Sequence, residues 1–511
     1  MNNELRELSD RHFRPDPQGV LAPRSEGRPG SVCVRVDGTM ANSRAGQHLT
    51  WQLVNLLCRQ FALVEKIFLD IAPTQLKPGV APFGECATLA ETVAECIRLV
   101  SGSHVAIESH ADDTADVILL IGSSLAAPSA SASWRLYADG WRYYVGESGA
   151  HPPMSPTSTV SIGPYLAACH GAGEVFKVLR GMKAGKGSFI QDLFGSAWTM
   201  TTEGSWEALE DGPDSQALPV LPHFYFAGAG AVAQAAALCL ATSGGAGACT
   251  PIDHDTLDLT NDNRYVLSHT GHADKKKVAL LDTYLKRTGI ACKPVDSRWQ
   301  DFATSAGRNA FDVEVRALER QYKFPLVLSC VDKNEPRHEI QNLLPRLIIS
   351  GSTDGLTAKA AIFNLDGPYS CLKCYNPIQD RNRLIRSRLL AAKDMTQQEQ
   401  ADFCAELGID PEELYKMLEA VGCGQLSRVD LERFAAGAPQ MSVGFVSAAA
   451  GTLLAAQLFR LVILGSDTVS TAGSTVVVTF ARAGIRQLKI GPEAGCDCES
   501  RMRERWRKMW K

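Results

Sequence analysis

Short hydrophobic runs recur along the chain and alternate with amphipathic or small-residue segments, a pattern typical of buried strands and helices. In the first half it predicts strands at residues 31–38 and 116–122, a helix at 45–61 and a hairpin at 134–145 around Asp139-Gly140. In the second half it predicts strands at 223–228, 248–253, 323–332, 347–350, 474–480 and 485–490, and helices at 231–242, 273–288 and 442–464. This alternation indicates an α/β fold with a mostly parallel sheet and helices on both faces.

Two breaks in the pattern divide the chain. Residues 1–30 are polar and rich in Pro, Arg and Gly, which predicts a flexible N-terminal arm. An acidic, loop-like stretch at 201–219 separates the two halves. We therefore expect one α/β domain at residues 31–215 and a second at 216–511, with a charged helical insertion at about 378–440.

The two halves share one short sequence similarity. Ala172–Leu179 (AGEVFKVL) aligns without a gap to Ala455–Val462 (AAQLFRLV), and each segment lies in a small-residue helix. Common ancestry, chance and shared helix composition all remain open as explanations. An internal repeat would make the chain a fused dimer of one fold, with a homodimer of whole chains as the alternative.

The amino-acid composition and net charge exclude several classes of protein. The 511 residues are 45% hydrophobic and 21% charged, an ordinary globular profile that excludes a mainly disordered or fibrous chain. A net charge of −4 gives no argument for a nucleic-acid partner. The apolar stretches 224–249 and 443–464 fit buried helices, so we expect no membrane span. Fifteen cysteines behind a polar N-terminus indicate a reducing, cytoplasmic location, where paired cysteines are first read as metal ligands.

A glycine-rich turn points to a nucleotide. Gly228 and Gly230 lie where a predicted strand turns into a helix, which allows phosphate oxygens to approach backbone N–H groups at the helix N-terminus. Asp253 ends the next strand, where a carboxylate can hold ribose hydroxyls. These features alone do not distinguish NAD from ATP.

Three further residues favour a triphosphate. Arg264 and Lys277 follow Asp253, and Asp332 ends the strand predicted at 323–332. ATP with Mg²⁺ needs additional cations around its oxygens and a carboxylate for the metal, whereas a dinucleotide needs little beyond the glycine-rich turn. The sequence therefore favours ATP and Mg²⁺ as ligands.

From Phe224 to Cys498 the chain resembles the E1-like adenylating family, which includes the ThiF, MoeB, HesA and ubiquitin-activating enzymes. The motifs that carry the resemblance are the glycine-rich turn, Asp253-x-Asp255, Asn261-x-x-Arg264 and Lys277. The resemblance implies a Rossmann-like adenylation fold. It also implies that Asp253 binds ribose, Arg264 and Lys277 bind phosphates, and Asp332 handles Mg²⁺. Asn261 is implied as a further site residue.

The first half lacks these motifs. It therefore resembles the inactive half of a fused E1, a degenerate pseudo-adenylation domain. In two-subunit members of the family the inactive half often contributes an arginine to the active site. Residues 5–14 (LRELSDRHFR) are a candidate donor here, although arginines near a chain terminus are usually solvated.

Four cysteines form two spaced pairs, Cys371-x-x-Cys374 and Cys496-x-Cys498. If folding joins the pairs they would form a closed Cys₄ zinc site of the structural kind. The resemblance implies the same site, although family members usually carry C-x-x-C in the second pair. The alternative is four unlinked cysteines.

A cysteine that captures an acyl group would lie, by resemblance, between the first zinc pair and the long apolar helix. That region holds Cys404 and Cys423. Cys423 is favoured because it lies in a small-residue break (VGCGQLS), where a thiol could be exposed near a helix N-terminus. Cys404 falls in a helical run and is expected to be packed.

The combined expectation is an E1-like enzyme that adenylates the C-terminus of a ubiquitin-like protein with Mg-ATP. Cys423 would carry the thioester for transfer to an E2-like conjugating protein, and the two-domain layout resembles bacterial proteins of ubiquitin-like conjugation operons, some used in antiviral defence. The alternatives are a sulfur-carrier adenylyltransferase of the MoeB and ThiF type, and a non-catalytic scaffold. The basic C-terminal tail, with tryptophans at 506 and 510, is expected to pack on its own domain rather than on an acidic partner or a membrane.

Overall fold

The computed structural model describes residues 3–14, 16, 18–22, 27–126, 132–147, 155–305, 323–378, 388–389, 391–393, 395–407, 409–419, 441–465 and 474–511. The first half is built on an eight-stranded sheet of spatial order β3-β2-β1-β4-β5-β6-β7-β8. Its strands are β1 Gly30–Val36, β2 Val64–Ile71, β3 Ala106–Glu108, β4 Val117–Ile121, β5 Ala132–Asp139, β6 Arg142–Gly146, β7 Asp192–Ser196 and β8 Thr201–Glu203. The pairs from β3 to β5 are parallel and those from β5 to β8 are antiparallel.

The second half is built on a sheet of spatial order β11-β10-β9-β13-β14-β15-β16-β17, with β12 paired to β10. Its strands are β9 Phe224–Ala227, β10 Gly247–Asp253, β11 Ile290–Cys292, β12 Val295–Asp296, β13 Leu326–Ser329, β14 Leu347–Asp354, β15 Thr357–Phe363, β16 Thr475–Thr479 and β17 Gly484–Leu488. The pairs from β11 to β14 are parallel and those from β14 to β17 are antiparallel.

Helices occupy the connections. Those up to the end of the first half are α1 Asn3–Ser9, α2 Gly38–Asn42, α3 Arg44–Leu57, α4 Leu89–Ser101 and α5 Ile162–Arg180. Those of the second half are α6 Ala231–Thr242, α7 Lys277–Leu285, α8 Trp299–Ser305, α9 Asn334–Asn342, α10 Leu372–Tyr375, α11 Gln397–Leu407, α12 Pro411–Glu419, α13 Gly444–Leu464 and α14 Arg501–Trp510. The predicted helix at 273–288 is shorter than expected and spans Lys277–Leu285, because Asp274 has a φ of +65° and Lys276 is extended.

The two halves have the same topology. With β12 set aside, the second sheet repeats the strand order of the first, and both sheets change from parallel to antiparallel at the same position. Helix α5 joins β6 to β7, and α13 joins the corresponding strands β15 and β16. The two similar sequence segments lie in α5 and α13, so they occupy equivalent places. The expectation of a Rossmann-like α/β fold preceded by a second α/β domain is confirmed.

The equivalent helices α5 and α13 pack against each other and join the halves in one hydrophobic core. Helix α13 is long and apolar enough to cross a membrane, but 89% of its most apolar window is buried within the protein. Its small residues allow close packing: a Cβ on Gly451 would lie 2.5 Å from the Cβ of Ala235 on α6. The long apolar run is accounted for by burial between helices.

The N-terminal segment is packed where the structure describes it. Leu8 is buried, Leu5 and Phe13 pack against the core, and the His12 Nδ1 lies 3.3 Å from the Phe61 carbonyl oxygen. The prediction of a flexible arm over residues 1–30 does not describe these residues. The prediction gave more weight to the Pro, Arg and Gly content than to the apolar side chains of Leu5, Leu8 and Phe13, which pack in or against the core.

Candidate functional site

A cleft of about 780 Å³ opens at the carboxyl ends of β9, β10 and β13. In open α/β sheets ligands bind outside the carboxyl ends of the strands, where connections leave in opposite directions. Strand β9 lies between β10 and β13 in the sheet, which makes it such a point. Seven of the predicted site residues line this cleft: Gly228, Gly230, Asp253, Asp255, Arg264, Lys277 and Asp332.

The glycine-rich turn forms the floor of the cleft. Gly228 has a φ of +92°, in the left-handed region, and a Cβ there would lie 3.1 Å from the carbonyl oxygen of Cys330. Gly230 is the N-cap of α6, and no side chain caps this helix start. The first-turn N–H groups of α6 therefore remain available to an anion in the cleft.

Two aspartates at the end of β10 organise the adjacent wall. The Asp253 Oδ2 accepts a hydrogen bond from the Ala229 N–H at 2.7 Å, which ties the carboxylate to the glycine-rich turn. Its Oδ1 accepts from the Asp255 N–H at 2.8 Å. The Asp255 Oδ2 then accepts from the Lys277 Nζ at 2.8 Å. The chain of contacts fixes Lys277 at the start of α7 beside the cleft.

The electrostatics of this pair keep both groups charged. Burial alone would lower the pKa of Lys277, but Tyr265, the hydrogen bond to Asp255 and the charge of Asp253 outweigh burial and raise this pKa. Burial opposes ionisation of Asp255, but the bond from Lys277 prevails and lowers its pKa. Lys277 is therefore a permanent cation at neutral pH.

Tyr265 is a site residue that the sequence did not reveal. Its buried ring lies 5.4 Å from the Arg264 guanidinium carbon and 5.8 Å from the Lys277 Nζ. An aromatic face attracts cations, so one ring supports both. A Cβ on Gly230 would lie 3.3 Å from the Tyr265 hydroxyl oxygen, so the ring also touches the glycine-rich turn. The one local signal was its position directly after Arg264.

Arg264 is held by neighbouring groups of its own loop. Its Nη1 donates to the Thr260 carbonyl oxygen at 2.9 Å and to the Asn263 Oδ1 at 2.7 Å. Burial lowers the pKa of Arg264, and the charge of Arg11 lowers it further. Two arginines brought together at a partly buried surface favour binding of an anion between them.

Arg11 reaches the cleft from the N-terminal segment of the first half. Its carbonyl oxygen accepts a hydrogen bond from the Ser442 N–H at 3.2 Å. Arg180 of α5 also binds this segment, because its Nε donates to the His12 carbonyl oxygen at 3.4 Å. The sequence suggested residues 5–14 as a donor, and the structure identifies Arg11 as the member of that segment that lines the cleft.

The opposite wall carries Asp332 and Arg337. The Asp332 side chain is exposed in the cleft after β13, with its carboxylate available to a ligand. The Arg337 Nη1 donates to the Asn334 Oδ1 at 2.8 Å and to the Asn376 Oδ1 at 3.0 Å. Asn376 comes two residues after Cys374 of the first cysteine pair, so Arg337 links the cleft to that pair.

Asn261 was predicted as a site residue, but it is not among the residues that line the cleft. It is buried, and its Oδ1 lies 3.5 Å from the Asp258 backbone nitrogen in a capping box. Its carbonyl oxygen accepts from the N–H groups of Arg264 and Tyr265. Asn261 therefore shapes the loop that carries Arg264, and its role toward a ligand stays a prediction.

The first half differs at the equivalent turn after its central strand β1. The Asp37 side chain caps α2 by accepting from the Met40 N–H at 2.8 Å, and its Oδ2 also accepts from the Ser124 N–H at 3.1 Å. A carboxylate thus accepts from a first-turn N–H of α2, whereas no side chain caps α6 in the second half. The negative charge of Asp37 would repel a phosphate at this turn.

The four paired cysteines come together. Distances between sulfurs are 3.7 Å for Cys371 to Cys374, 3.7 Å for Cys371 to Cys496 and 3.9 Å for Cys374 to Cys498. A tetrahedral zinc with Zn–S bonds of about 2.3 Å separates its sulfurs by about 3.8 Å, so the donor set fits zinc.

The C-terminal helix α14 packs beside these cysteines. Its buried Trp506 donates from Nε1 to the Pro345 carbonyl oxygen at 2.9 Å, and Trp510 donates to the Leu344 carbonyl oxygen at 2.8 Å. The expectation that the tail packs its tryptophans on its own domain is confirmed.

Of the two candidate thiols, Cys423 lies outside the described residues. Cys404 is 1% exposed and packs in α11 against Ala392, Ile409 and Leu414. Burial raises the pKa of its thiol. Cys404 is therefore shielded in this conformation, as the sequence suggested.

Two family models match the chain in order. A model described as the BilD N-terminal domain matches residues 31–193, and the ThiF family model matches residues 222–500. The second match covers more than half of the chain and contains every residue of the cleft except Arg11.

Among curated proteins, the "uncharacterized protein y4jF" of Sinorhizobium fredii (strain NBRC 101917 / NGR234) is 23% identical over 368 residues. That alignment covers 70% of this chain and 63% of the relative, so the chain spans less than two thirds of its length. Solved structures of E. coli MccB are also similar. MccB alone is 15% identical with a TM-score of 0.36, covering 56% of this chain and 66% of that chain. MccB with MccA is 16% identical with a TM-score of 0.37, covering 56% and 68%.

Proposed function

Because the chain belongs to the ThiF family, we propose that it is an E1-like activating enzyme that adenylates the C-terminal carboxylate of a ubiquitin-like protein with ATP. The observation that carries the proposal is the cleft beside the glycine-rich turn. There Arg264 and Lys277 share the ring of Tyr265, and Arg11 approaches Arg264 from the other half of the chain. Three cations around one cleft suit a polyphosphate better than a dinucleotide.

In the proposed reaction a carboxylate oxygen of the modifier attacks the α-phosphorus of ATP. A new C–O–P bond forms, the bond from the α-phosphorus to the bridging oxygen breaks, and its electron pair leaves with pyrophosphate. Lys277, Arg264 and Arg11 would stabilise the negative charge that moves onto the departing oxygens. This is positioning and electrostatic catalysis, in which the protein forms no bond to phosphorus.

Asp253 and Asp332 have separate proposed roles. Asp253 is anchored to the turn by the Ala229 N–H and presents its carboxylate where ribose hydroxyls would lie. Asp332 offers an exposed carboxylate on the opposite wall, and carboxylate oxygens are the hard ligands that Mg²⁺ prefers. Bound there, Mg²⁺ would neutralise charge on the phosphates.

We propose that the four-cysteine cluster binds a structural zinc ion, which the sulfur separations of 3.7–3.9 Å support. Its contacts reach α14 through hydrophobic packing and α9 through Asn376. A zinc ion there would hold the C-terminal helix and one wall of the cleft in place.

We further propose that Cys423 accepts the activated acyl group as a thioester and passes it to an E2-like conjugating protein. The support is the resemblance together with the shielding of Cys404. The two halves share one topology and pack through equivalent helices, which supports a pseudo-dimer within one chain. We propose a cytoplasmic location from the cysteine content and the polar N-terminus, and a role in antiviral defence from the two-domain layout.

Exchange of radiolabelled pyrophosphate into ATP tests the proposal. The full chain is incubated with Mg-ATP and a ubiquitin-like protein that ends in a free glycine. We expect exchange that requires this carboxylate and is lost when the terminal glycine is amidated. Absence of exchange with every carboxylate-ended carrier would refute adenylation and leave the scaffold alternative.

A gel assay separates the two enzyme alternatives. We expect a carrier adduct that dithiothreitol removes and that Cys423→Ala abolishes while exchange persists. Cys404→Ala is the matched control and should leave the adduct in place. Exchange without any adduct would favour a sulfur-carrier adenylyltransferase, and an adduct that survives Cys423→Ala would exclude Cys423.

A further inference from the structure

A buried arginine of the first half holds the loop that carries Arg264. Arg59 follows α3 and is 0% exposed. Its Nη1 donates to the Asp262 carbonyl oxygen at 2.6 Å, and its Nη2 donates to the Ser268 carbonyl oxygen at 2.6 Å. These two acceptors flank Arg264 and Tyr265 in sequence. One planar guanidinium therefore fixes both ends of the segment 262–268.

Asn55, near the end of α3, completes this clamp. Asn55 of α3 accepts from the Arg59 Nε at 3.0 Å and donates from Nδ2 to the Val266 carbonyl oxygen at 3.1 Å. Three carbonyl groups of one loop thus bind two side chains of the other half. Within the loop, the Asp262 carboxylate accepts from the Ser268 hydroxyl, which closes the same segment on itself.

Burial of the Arg59 guanidinium costs free energy unless its N–H groups are hydrogen-bonded. Burial lowers the pKa of Arg59, which expresses the cost of holding a cation away from water. The three hydrogen bonds that the planar Arg59 guanidinium donates offset this cost. The flexible ammonium group of a lysine cannot reproduce their planar geometry. Buried polar contacts of this kind define one arrangement of the groups that they join.

Arg59 does not line the cleft, so it has no direct route to a ligand. The loop that it holds does reach the cleft, through Arg264 and Tyr265. We propose that Arg59 is a positioning residue, by which the degenerate half fixes the phosphate-binding loop of the other half. The catalytic consequence rests on the proposed function, whereas the ordering of the loop does not.

The first test is amide hydrogen exchange of the ligand-free full chain. Arg59→Lys keeps the charge but loses the fork. Loss of a charge-assisted hydrogen bond should speed exchange of the amides of residues 264–268 by about tenfold. Arg135→Lys is the matched control, because buried Arg135 also donates to two backbone carbonyls, those of Gly122 and Leu125, but within the first half. Arg135→Lys should leave the amides of 264–268 unchanged.

The second test uses pyrophosphate exchange and a double-mutant cycle. Arg59→Lys should lower kcat about tenfold with a change in KM for ATP of about twofold or less, since the loop must be aligned in the transition state. In an Arg264→Ala background the same change should lower kcat by a smaller factor than in the wild type, because part of the effect of Arg59 passes through Arg264.

Unchanged amide exchange at 264–268 in Arg59→Lys, or equal losses of kcat in both backgrounds, would overturn the proposal. If Arg59→Lys does not fold, Asn55→Asp is used for the amide-exchange test instead. It retains an acceptor for Arg59 but replaces the donor to Val266 with a carboxylate oxygen that repels the Val266 carbonyl, and it should speed exchange in the same segment. If the wild-type chain shows no pyrophosphate exchange, the proposed function fails, and the amide measurement still tests the clamp.

Discussion

Lys277 and Lys276 are adjacent lysines with different surroundings, which makes them a matched pair for testing the cleft. The Lys277 side chain is 12% exposed and binds Asp255 at 2.8 Å beside the ring of Tyr265. The Lys276 side chain is 41% exposed, binds Asp296 at 3.0 Å and does not line the cleft. Both are replaced by alanine, one at a time.

The expected magnitudes follow from these surroundings. Loss of one preorganised cation that stabilises a developing oxyanion typically costs about 10²–10³ in rate, or about 3–4 kcal/mol. The ion pair with Asp255, whose side chain is 50% exposed, contributes about 0–1 kcal/mol to stability. We therefore expect Lys277→Ala to slow carrier-dependent pyrophosphate exchange at least about 100-fold and to leave the free energy of unfolding nearly unchanged.

Initial rates of pyrophosphate exchange and denaturant melts of the same preparations measure both quantities. Lys276→Ala should keep exchange within about threefold of wild type, because it removes an exposed ion pair and a hydrogen bond to the His254 carbonyl oxygen but no cation that lines the cleft. The reasoning is wrong if Lys277→Ala retains wild-type exchange, or if both variants lose the same activity.

Three other predictions concern the turn, the cysteines and pH. Gly228→Ala should lower the free energy of unfolding by about 1–2 kcal/mol in denaturant melts, because the φ of +92° at Gly228 disfavours a Cβ. Gly230 has a φ of −76°, so Gly230→Ala should lower the free energy of unfolding less. Equal losses in the two variants would contradict this reasoning. Cys498→Ser should abolish the one zinc per chain that elemental analysis is expected to find, while Cys404→Ser keeps it; zinc retained by Cys498→Ser would exclude the four-cysteine site. Burial lowers the pKa of His170 to about 3, so the unfolded chain gains a proton below about pH 6.5 and the folded chain does not, and stability falls as pH falls. By pH 5 this loss reaches about 2 kcal/mol, and His170→Phe should remove it; an unaltered pH dependence of unfolding would refute the assignment.

Features set by neighbouring residues could be predicted from the sequence. The glycine-rich turn and Asp253 lie at strand ends that hydrophobic runs and turn residues mark, and the structure brings them into one cleft with Arg264, Lys277 and Asp332. Their roles toward a nucleotide remain predictions. Helix α13 was assigned to the core because its apolar run is rich in small residues, and its burial confirms that assignment.

Contacts between distant segments could not be predicted. Arg59 contacts carbonyl groups about 200 positions away, and the segment that carries Arg11 into the cleft is bound by Arg180 and Ser442. No local pattern encodes such pairings. For Asn261 the motif spacing predicts a site residue, and the structure adds a contact within its own loop: its side-chain oxygen lies 3.5 Å from the Asp258 backbone nitrogen.

A crystal structure of the full chain grown with Mg-ATP tests the central claim most directly. The account predicts ATP in the cleft, with its ribose at Asp253, its phosphates between Lys277, Arg264 and Arg11, and Mg²⁺ at Asp332. A nicotinamide dinucleotide retained in that cleft, or ATP bound to the first half beside Asp37, would contradict it.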